Sequence, residues 1–518
     1  MEATLKKRLG IFFLIIGVVG LLLIGLQWFI ENKIENTLKT ELPKNVQLTY
    51  SALDFNIFTG SLALHNTAVY RLGRVTNDTL LDLKLEQLQL ERVSYWHYFV
   101  NNTISLSNVA LRNPKIQYRH NPKVTKDSYK PESGNALKIP IRVANFELTN
   151  GHIQINNAAN DSLLFWVNNV HLDIQAIRVD QKTLKEKIPF AYTNLALLSD
   201  SLYVKVGAYD ALKAAAFSFK NNQLKVQDIL FKTIYSKKQL SQVITKERDH
   251  YNVAVKLLQV NDLFYGFRNN KILQIKSPQI TISQIDAAIF RDKLVADDPS
   301  FKPLYSRMLR HLNSDLALDE VKILDSKISY SEKVKIDRQA GTVNFNDFQA
   351  SITNVSNTYL APTKTTLKIK TQFMNHAPLQ VNWEFDVNDQ TDRFLFQAEL
   401  RGVQAAYLNK FVEPNLNARL EGALEQTFFT INGTNNLSDI DFKTKYQNFT
   451  VNLLRQDGKD KNAFLSDILN IFVPKNSKHQ KLEFKEVTKS GIKRNSSQSV
   501  FNYIWINVRA GLKKAMTI

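Results

Sequence analysis

The chain has 518 residues and a formal net charge of +19; 44% of its residues are hydrophobic and none is cysteine. The absence of cysteine excludes disulfides, thiolate metal sites and a cysteine nucleophile, and the apolar content excludes a globally disordered chain. The positive charge is compatible with an anionic partner, such as nucleic acid or lipid headgroups, and equally with a lysine-rich solvated surface.

The first predicted element is the apolar segment LGIFFLIIGVVGLLLIGLQWFI (9–30), in which Gln27 is the one polar side chain. As a helix this segment would extend about 33 Å, enough to cross a hydrocarbon core of about 30 Å. Lys6, Lys7 and Arg8 precede it, so the positive-inside rule predicts a cytoplasmic amino terminus and places the rest of the chain across the membrane. A cleaved signal peptide is the alternative, but its apolar region would be shorter and would end in a small-residue cleavage site.

After this segment, alternation of apolar and polar residues predicts β-strands with one buried and one solvated face. The clearest stretches are TLLDLKLEQLQL (79–90), AFSFKNNQLKVQ (216–227), TTLKIKTQF (365–373) and FLFQAEL (394–400). The sequence therefore predicts a mainly β protein.

One apolar pattern recurs in ISLSNVALRNPKIQY (104–118), IRVANFELTNGHIQI (141–155) and LALDEVKILDSKISY (316–330). Each copy has apolar residues at its first, third, sixth, eighth, thirteenth and fifteenth positions. In the first copy these residues are Ile104, Leu106, Val109, Leu111, Ile116 and Tyr118. In the second they are Ile141, Val143, Phe146, Leu148, Ile153 and Ile155, and in the third they are Leu316, Leu318, Val321, Ile323, Ile328 and Tyr330. A weaker copy begins at Leu62.

We interpret this pattern as a repeating sheet in which each copy contains three short alternating pairs joined by turns. Asn-Pro and Asn-Gly favour turns because Asn and Gly tolerate positive φ and Pro restricts its own φ. The predicted turns are Ser107-Asn108, Ala144-Asn145, Asp319-Glu320, Asn113-Pro114, Asn150-Gly151 and Asp325-Ser326.

Few helices are predicted within the sheet region. SFKPLYSRMLRHL (300–312) and NAFLSDILNIFVP (462–474) have apolar residues at helical spacing, so we expect both to pack over the sheet or plug one of its ends. The polar segment 119–135 and the basic segment 475–499 are predicted loops.

The carboxyl-terminal stretch SVFNYIWINVRAGLKKAM (499–516) predicts an amphipathic helix. Such a helix suits a membrane interface, a groove on a partner protein, or the chain's own sheet. The candidate residues for membrane docking are Phe501, Ile504, Trp505, Val508 and Leu512 on one face, together with Lys513 and Lys514.

The sequence contains no recognisable catalytic motif. Its nine histidines are scattered without metal-ligand spacing, and no Walker loop, GxGxxG or GxSxG element is present. We therefore predict no enzyme activity, no catalytic residue, no metal and no cofactor. Nucleic-acid binding is not expected either, because the basic charge is not accompanied by a recognisable reading module.

Several strings resemble the AsmA-like family of Gram-negative envelope proteins, relatives of TamB and the bridge-like lipid-transfer proteins, in a Bacteroidetes-type branch. The strings are LTYSALDFNIFTGSLALHNTAVY (48–70), ISLSNVALRNPKIQY (104–118), IFRDKLVADDPSFKPLYSRMLRHLNSDLALDEVKILDSKISYSEK (289–333), GTVNFNDFQASITNVSN (341–357), YQNFTVNLL (446–454) and SVFNYIWINVRAGLKK (499–514). The resemblance extends along nearly the whole chain as a pattern and carries over no catalytic residue.

The resemblance implies a transmembrane helix followed by a long, curled antiparallel sheet of β-taco type with few helices and a carboxyl-terminal amphipathic helix. We divide the chain into a cytoplasmic stub and anchor (1–30), a repetitive groove domain (31–474) and a basic segment with the terminal helix (475–518). The implied localisation is the inner membrane, with the bulk of the chain in the periplasm.

The implied function is binding or conduction of phospholipid acyl chains between envelope membranes, which would contribute to outer-membrane biogenesis. The groove candidates are the repeat residues from Ile104 to Ile116, from Ile141 to Ile153 and from Leu316 to Ile328. The second membrane or an envelope protein would bind the helix at 499–516. The alternative is an envelope assembly factor whose sheet edge or terminal helix holds an outer-membrane protein or another partner.

Overall fold

The structure is a computed structural model that describes residues 25–36, 38, 40, 42, 45–73, 79–121, 137, 139–454 and 484–517. Within these ranges the fold is mainly β with few helices, which confirms the predicted class. The predicted helix 462–474 and residues 9–24 of the predicted anchor lie outside the described ranges, whereas residues 25–36 are helical (α1). None of the helices in the described ranges has the length and apolar content needed to cross a membrane.

The chain divides into two compact units. Unit 1 comprises Met1–Lys205 and Ala216–Asn221, and unit 2 comprises Val206–Ala215 and Asn222–Ile518. The strands of unit 1 are β1 Val46–Thr49, β2 Ala52–Asn56, β3 Ser61–Leu72, β4 Thr79–Glu91, β5 Ile104–Arg112, β6 Lys115–His120, β7 Ile141–Asn157, β8 Leu163–Val179, β9 Asn194–Ser199, β10 Ser201–Val206 and β12 Ala216–Lys220.

The strands of unit 2 are β11 Asp210–Ala214, β13 Gln223–Thr233, β14 Asp249–Asn261, β15 Phe264–Arg268, β16 Ile272–Asp292, β17 Asp315–Lys333, β18 Gly341–Ser356, β19 Thr365–Phe373, β20 Ala377–Phe385, β21 Phe394–Gln404, β22 Ala418–Gly433, β23 Leu437–Leu453 and β24 Lys485–Lys493. The helices after α1 are α2 Tyr95–Asn101 in unit 1, and α3 Lys237–Val243, α4 Tyr305–Arg310, α5 Ala405–Leu416 and α6 Val500–Thr517 in unit 2.

Neighbouring strands within each unit are mostly neighbours in sequence. In unit 1 the order is β3, β4, then β5 with β6, then β7, β8 and β9, with β1 and β2 on β3, β10 on β8 and β12 on β9. In unit 2 the order is β11, β13, β14, β16 and then β17 to β24 in succession, with β15 on β16.

The prediction of a wholly antiparallel sheet is wrong at two places. β5 and β6 pair with β7 in parallel, and β16 pairs with β17 in parallel. An alternating pattern specifies which face is buried but not the strand direction, and direction depends on the connection. The connecting segments, 121–140 and 293–314, are long enough for the crossover that parallel neighbours require.

The predicted turns inside the repeats are also wrong in most cases. β7 and β17 run without interruption through both of their predicted turns, and the first copy is interrupted at Asn113-Pro114 alone. At the second site of each copy the chain instead has one residue with positive φ: Asn113 at 52°, Asn150 at 54° and Asp325 at 49°. One left-handed residue bends a strand, whereas the tightest hairpins need two turn residues and a reversal of direction.

The clearest core of unit 2 lies where α4 and α6 cover β20–β24. Trp383, Phe442 and Tyr503 are buried there, and Tyr305 packs on Trp383 with ring centroids 5.2 Å apart. The predicted helix 300–312 is shorter than expected, since α4 has six residues. Its apolar side chains are only partly buried. Met308 is 50% exposed, although α4 does pack over the sheet as expected.

Candidate apolar binding face

The copies of the repeated pattern lie side by side in the sheet. Ile104, Val109 and Ile116 of the first copy are the strand partners of Ile141, Phe146 and Ile153 of the second, with no shift in register. Residues that share a pattern position therefore lie on the same face of adjacent parallel strands. The alignment of the two copies in sequence corresponds to their physical pairing.

The third copy pairs in the same way with a copy that sequence reasoning missed. β17 is in register with β16, so that Leu316, Val321 and Ile323 face Ile275, Ile280 and Ile282. The stretch IKSPQITISQIDAAI (275–289) follows the pattern except that its third and thirteenth positions are Ser277 and Ala287. Scoring small residues as compatible with the pattern would have found it.

Three of the pattern positions extend into rows of apolar residues that cross the strands of unit 1. The eighth-position row contains Leu53, Leu64, Leu88, Leu111, Leu148, Leu172, Leu197 and Phe219. The sixth-position row contains Phe55, Leu62, Leu90, Val109, Phe146, Ile174 and Leu195. The thirteenth-position row contains Leu48, Val69, Leu83, Ile116, Ile153, Val167 and Leu202.

Unit 2 repeats this arrangement over more strands. Its eighth-position row contains Val226, Leu258, Ile282, Ile323, Ala350, Ile369, Val381, Ala398, Phe429, Phe442 and Val487. Its sixth-position row contains Leu224, Val260, Ile280, Val321, Ile352, Leu367, Trp383, Phe396, Ile431 and Ile440. We call the surface formed by these rows in each unit its apolar face.

The seventh-position row, which lies between these two rows in sequence, is polar in unit 2. It contains Lys225, Gln259, Thr281, Lys322, Ser351, Lys368, Asn382, Gln397, Thr430, Asp441 and Thr488. Because successive residues of a strand point to opposite faces, this row belongs to the other side of the sheet. The sheet of unit 2 is therefore apolar on one face and polar on the other.

A left-handed residue occupies the tenth pattern position in all four copies, since Gln284 at φ 56° joins Asn113, Asn150 and Asp325. Within each unit the two paired strands thus bend at the same pattern position. At the bend in β7 the next residue is Gly151, whose added Cβ would lie 2.6 Å from Leu148 Cδ2. The bend brings the Leu148 side chain against the backbone of Gly151. It also shifts the alternation of side chains between the two faces by one residue, so the apolar positions before and after the bend stay on one face.

The groove candidates are buried to different degrees. Leu106, Val143, Leu148 and Leu318 are buried, each between 8% and 9% exposed. The other candidates are partly buried: Ile104, Val109, Leu111, Ile116, Ile141, Phe146, Ile153, Leu316, Val321, Ile323 and Ile328. Side chains of this size that are neither enclosed nor fully exposed are typical of an apolar surface with incomplete cover.

The apolar face of unit 2 is covered most completely at β20–β24, where helices pack on it. The eighth-position row is buried at Val381 and Phe442, beneath α4 and α6, and only partly buried at Leu258, Ile282 and Ile323. Gly511 of α6 lies so close to Phe442 that a Cβ on it would be 2.7 Å from the Phe442 Cβ. The helices therefore close this part of the row.

The docking candidates on α6 divide between two environments. Ile504, Val508 and Leu512 pack against the core beneath the helix, as the interpretation of α6 as a cover for its own sheet predicts. Phe501 is 64% exposed and Trp505 is 39% exposed, and Lys513 and Lys514 are exposed. The Lys514 ammonium donates to the Thr488 carbonyl oxygen at 2.8 Å, which ties the end of α6 to β24.

Charged groups lie at the ends of the strands in unit 2. Arg268 binds Asp315 with two hydrogen bonds of 2.7 and 3.0 Å, and these bonds hold the pKa of Asp315 below its ordinary value. The Arg291 guanidinium lies 2.7 Å from Asp249. Burial raises the pKa of the Tyr330 hydroxyl above its ordinary value.

Two cavities in the described residues are unsuited to an acyl chain. One of about 760 Å³ lies between α5 and the start of β18, where Arg338, Lys410 and Glu413 contribute to its walls. The other, of about 260 Å³, is lined by residues of β4, β5 and β7, among them Glu91, Arg112 and Glu147. Within the described ranges no three carboxylate or histidine side chains come close enough to hold a metal ion.

No protein-family model matches the chain, and a comparison with curated proteins also finds no match. The AsmA-like resemblance therefore remains an expectation based on the sequence.

Proposed function

We propose that this is a membrane-anchored envelope protein that binds phospholipid acyl chains on its apolar faces and conducts them between the inner and outer membranes. The observation that supports the proposal is the set of apolar rows, which cross up to eleven strands in register and are only partly buried at β16 and β17. The resemblance to AsmA-like proteins supports the same function and the periplasmic location.

The rows match the chemistry of an acyl chain. Burying one CH₂ group is worth about 0.8 kcal/mol, so a surface that accepts a whole chain can hold a lipid without any specific polar contact. Strands are spaced by roughly 4.8 Å, so neighbouring side chains of a row form an almost continuous apolar path. A lipid could move along such a row without crossing a large barrier, while its headgroup stays in water.

A double variant with charges in the rows tests the proposal. Leu111→Asp together with Ile323→Asp places one carboxylate in the eighth-position row of each unit, where an acyl chain would have to desolvate it. We expect the full-length protein, extracted from membranes in mild detergent, to lose most of its bound phospholipid as measured by lipid mass spectrometry.

The matched control carries two carboxylates on the opposite faces, Arg112→Asp and Thr281→Asp. Each control position is next in sequence to a row residue, Arg112 to Leu111 and Thr281 to Ile282. Circular dichroism should show the same strand content in all three proteins. Equal lipid content in the row variant and the control, or no lipid in the unmodified protein, would contradict the proposal.

A second candidate function is an assembly factor that holds an envelope protein. The observation that favours it is the helix-filled core at β20–β24, which resembles a closed domain more than a lipid path. In that case the unmodified protein would be monodisperse but free of lipid, and crosslinking would recover a protein partner.

A further inference from the structure

One end of the unit 1 sheet has a dense group of exposed aromatic side chains that the proposed function does not use. We call it the aromatic patch; its members are Trp28 (69% exposed), Phe29 (61%), Phe58 (71%), Trp96 (70%), Tyr98 (43%) and Phe99 (78%). They come from three separate segments: α1, the β2–β3 turn and α2. Exposed aromatic groups at this density mark an interaction surface.

Hydrogen bonds hold these three segments together. The Gln27 side-chain amide of α1 donates to the Phe55 carbonyl oxygen at 3.1 Å, next to the β2–β3 turn. Tyr95 of α2 donates its hydroxyl hydrogen to the Ile57 carbonyl oxygen of that turn at 2.9 Å. The Val93 amide donates to the Gly60 carbonyl oxygen at 2.9 Å. The aromatic patch is thus a built surface at one end of the sheet.

The helix α2 is fixed to the sheet by its ends and presents its side chains outward. The Ser94 amide donates to the Ser105 carbonyl oxygen at 2.9 Å, and the Thr103 amide donates to the His97 carbonyl oxygen at 3.0 Å. None of the seven residues of α2 is buried, and the helix contains no Asp, Glu, Lys or Arg. A short helix that exposes Trp, Tyr and Phe without charge is typical of a segment lying in a membrane interface.

The neighbouring sequence indicates which surface covers the patch. The apolar segment 9–30 leads directly into α1, and it is long enough to cross a bilayer. Gln27, near the end of this segment, contacts Phe55, so in the membrane-anchored protein proposed above the segment leaves the bilayer beside the patch. The bilayer that contains the segment is therefore the nearest apolar phase available to these aromatic groups.

We infer that the aromatic patch inserts into the membrane interface and seats the end of the unit 1 sheet on the bilayer surface. Phe55, at the start of the sixth-position row, lies next to the patch, so the apolar face of unit 1 would begin at the membrane. The inference rests on the membrane anchoring in the proposed function but not on acyl-chain binding, because an anchored protein that carries no lipid could be seated in the same way.

The absence of cysteine from the chain allows a direct test on the full-length protein. Phe99→Cys and Phe58→Cys, each carrying a nitroxide label, are reconstituted into vesicles of phosphatidylethanolamine and phosphatidylglycerol. The control is Leu184→Cys, in the short 3₁₀ turn Thr183–Lys185 of the same unit, where Leu184 is 46% exposed. Power saturation measures the accessibility of each label to oxygen and to a water-soluble nickel complex.

We expect an oxygen-to-nickel accessibility ratio several-fold higher at both patch sites than at the control site. Equal ratios at the three sites would show that the patch faces water and would overturn the inference. Low accessibility to both reagents, with an immobilised spectrum, would show that protein covers the patch and would also overturn it. If Phe99→Cys does not accumulate, Trp96→Cys replaces it. Lipid content does not enter the readout, so failure here is distinct from failure of the proposed function.

Discussion

At the scale of single residues, one backbone conformation organises the repeats. The tenth position of all four copies has a φ between 49° and 56°, and its occupants are two Asn, one Gln and one Asp. Asn and Asp are the non-glycine residues that most readily adopt the left-handed region, because their short polar side chains can bond locally. In three of the four copies the residue type therefore favours the bend, whereas Gln284 adopts the same conformation without that preference.

Asn150 offers a test of this bend, because its side chain is exposed and its substitution removes little packing. Asn150→Val should destabilise the protein by about 1–2 kcal/mol, since a β-branched residue is strained at positive φ. Asn150→Gly should have almost no effect. Thermal unfolding followed by circular dichroism measures the difference. Gln154→Val, at an exposed site later in the same strand, is the control; a similar loss there would contradict the backbone explanation.

The Arg268–Asp315 pair predicts a pH dependence. Arg268 lowers the pKa of Asp315 in the folded protein, so the pair stabilises fully above the ordinary pKa of an aspartate. This stabilisation is lost as the pH falls through the lowered value. We expect Asp315→Asn to lower the Tm by a constant amount above about pH 5 and by progressively less below about pH 4. A Tm difference that does not change with pH would contradict the prediction.

At the scale of elements, strand pairing converts a sequence pattern into a surface. Because β5 with β6 and β7 are parallel and in register, as are β16 and β17, identical pattern positions become adjacent on one face. Antiparallel neighbours then extend each position into a row. The helices decide which parts of the rows are closed, and α6 closes the part formed by β22–β24.

Close packing of α6 on β23 predicts the effect of a larger residue at Gly511. Gly511→Leu should destabilise the protein by about 1–3 kcal/mol and lift the helix, because Phe442 beneath it is 1% exposed and cannot move away. A lower Tm together with stronger binding of an apolar fluorescent dye would show this. Phe501→Ala on the exposed side of the same helix should change neither quantity; a comparable effect there would mean that α6 packs differently.

At the scale of the whole molecule, two units repeat one architecture. Each unit contains a parallel strand pair, bends at the tenth position and apolar rows at the same pattern positions. Each unit therefore has the surface that the proposed lipid binding requires, and each can be disabled by itself.

If both apolar faces hold lipid, the losses should add. Leu111→Asp alone and Ile323→Asp alone should each reduce bound phospholipid per chain to about half, because independent sites contribute additively. Lipid mass spectrometry against an internal protein standard measures the ratio. Complete loss from either single variant would show instead that the two faces act as one site.

The sequence by itself determined the class and the sidedness of the fold. Alternation of apolar and polar residues is a local property of the sequence. It therefore predicted strands such as β4, β19 and β21, with residues such as Leu88 and Ile369 at their apolar positions, and it predicted the apolar positions of the repeats. The absence of cysteine was equally direct. Membrane crossing by the segment 9–30 and membrane docking by Phe501 and Trp505 remain predictions from the sequence.

Only the tertiary structure decided strand direction, register and cover. The same alternation suits parallel and antiparallel neighbours, so the parallel pairs could not be predicted from periodicity. The copy at 275–289 was missed because small residues, Ser277 and Ala287, occupy two of its six pattern positions. Asn and Asp are favoured both at a single residue with positive φ and in two-residue turns. For this reason the bends at Asn150 and Asp325 were predicted as turns. The aromatic patch combines three segments distant in sequence, and hydrogen bonds such as Gln27 to Phe55 exist only after the chain has folded.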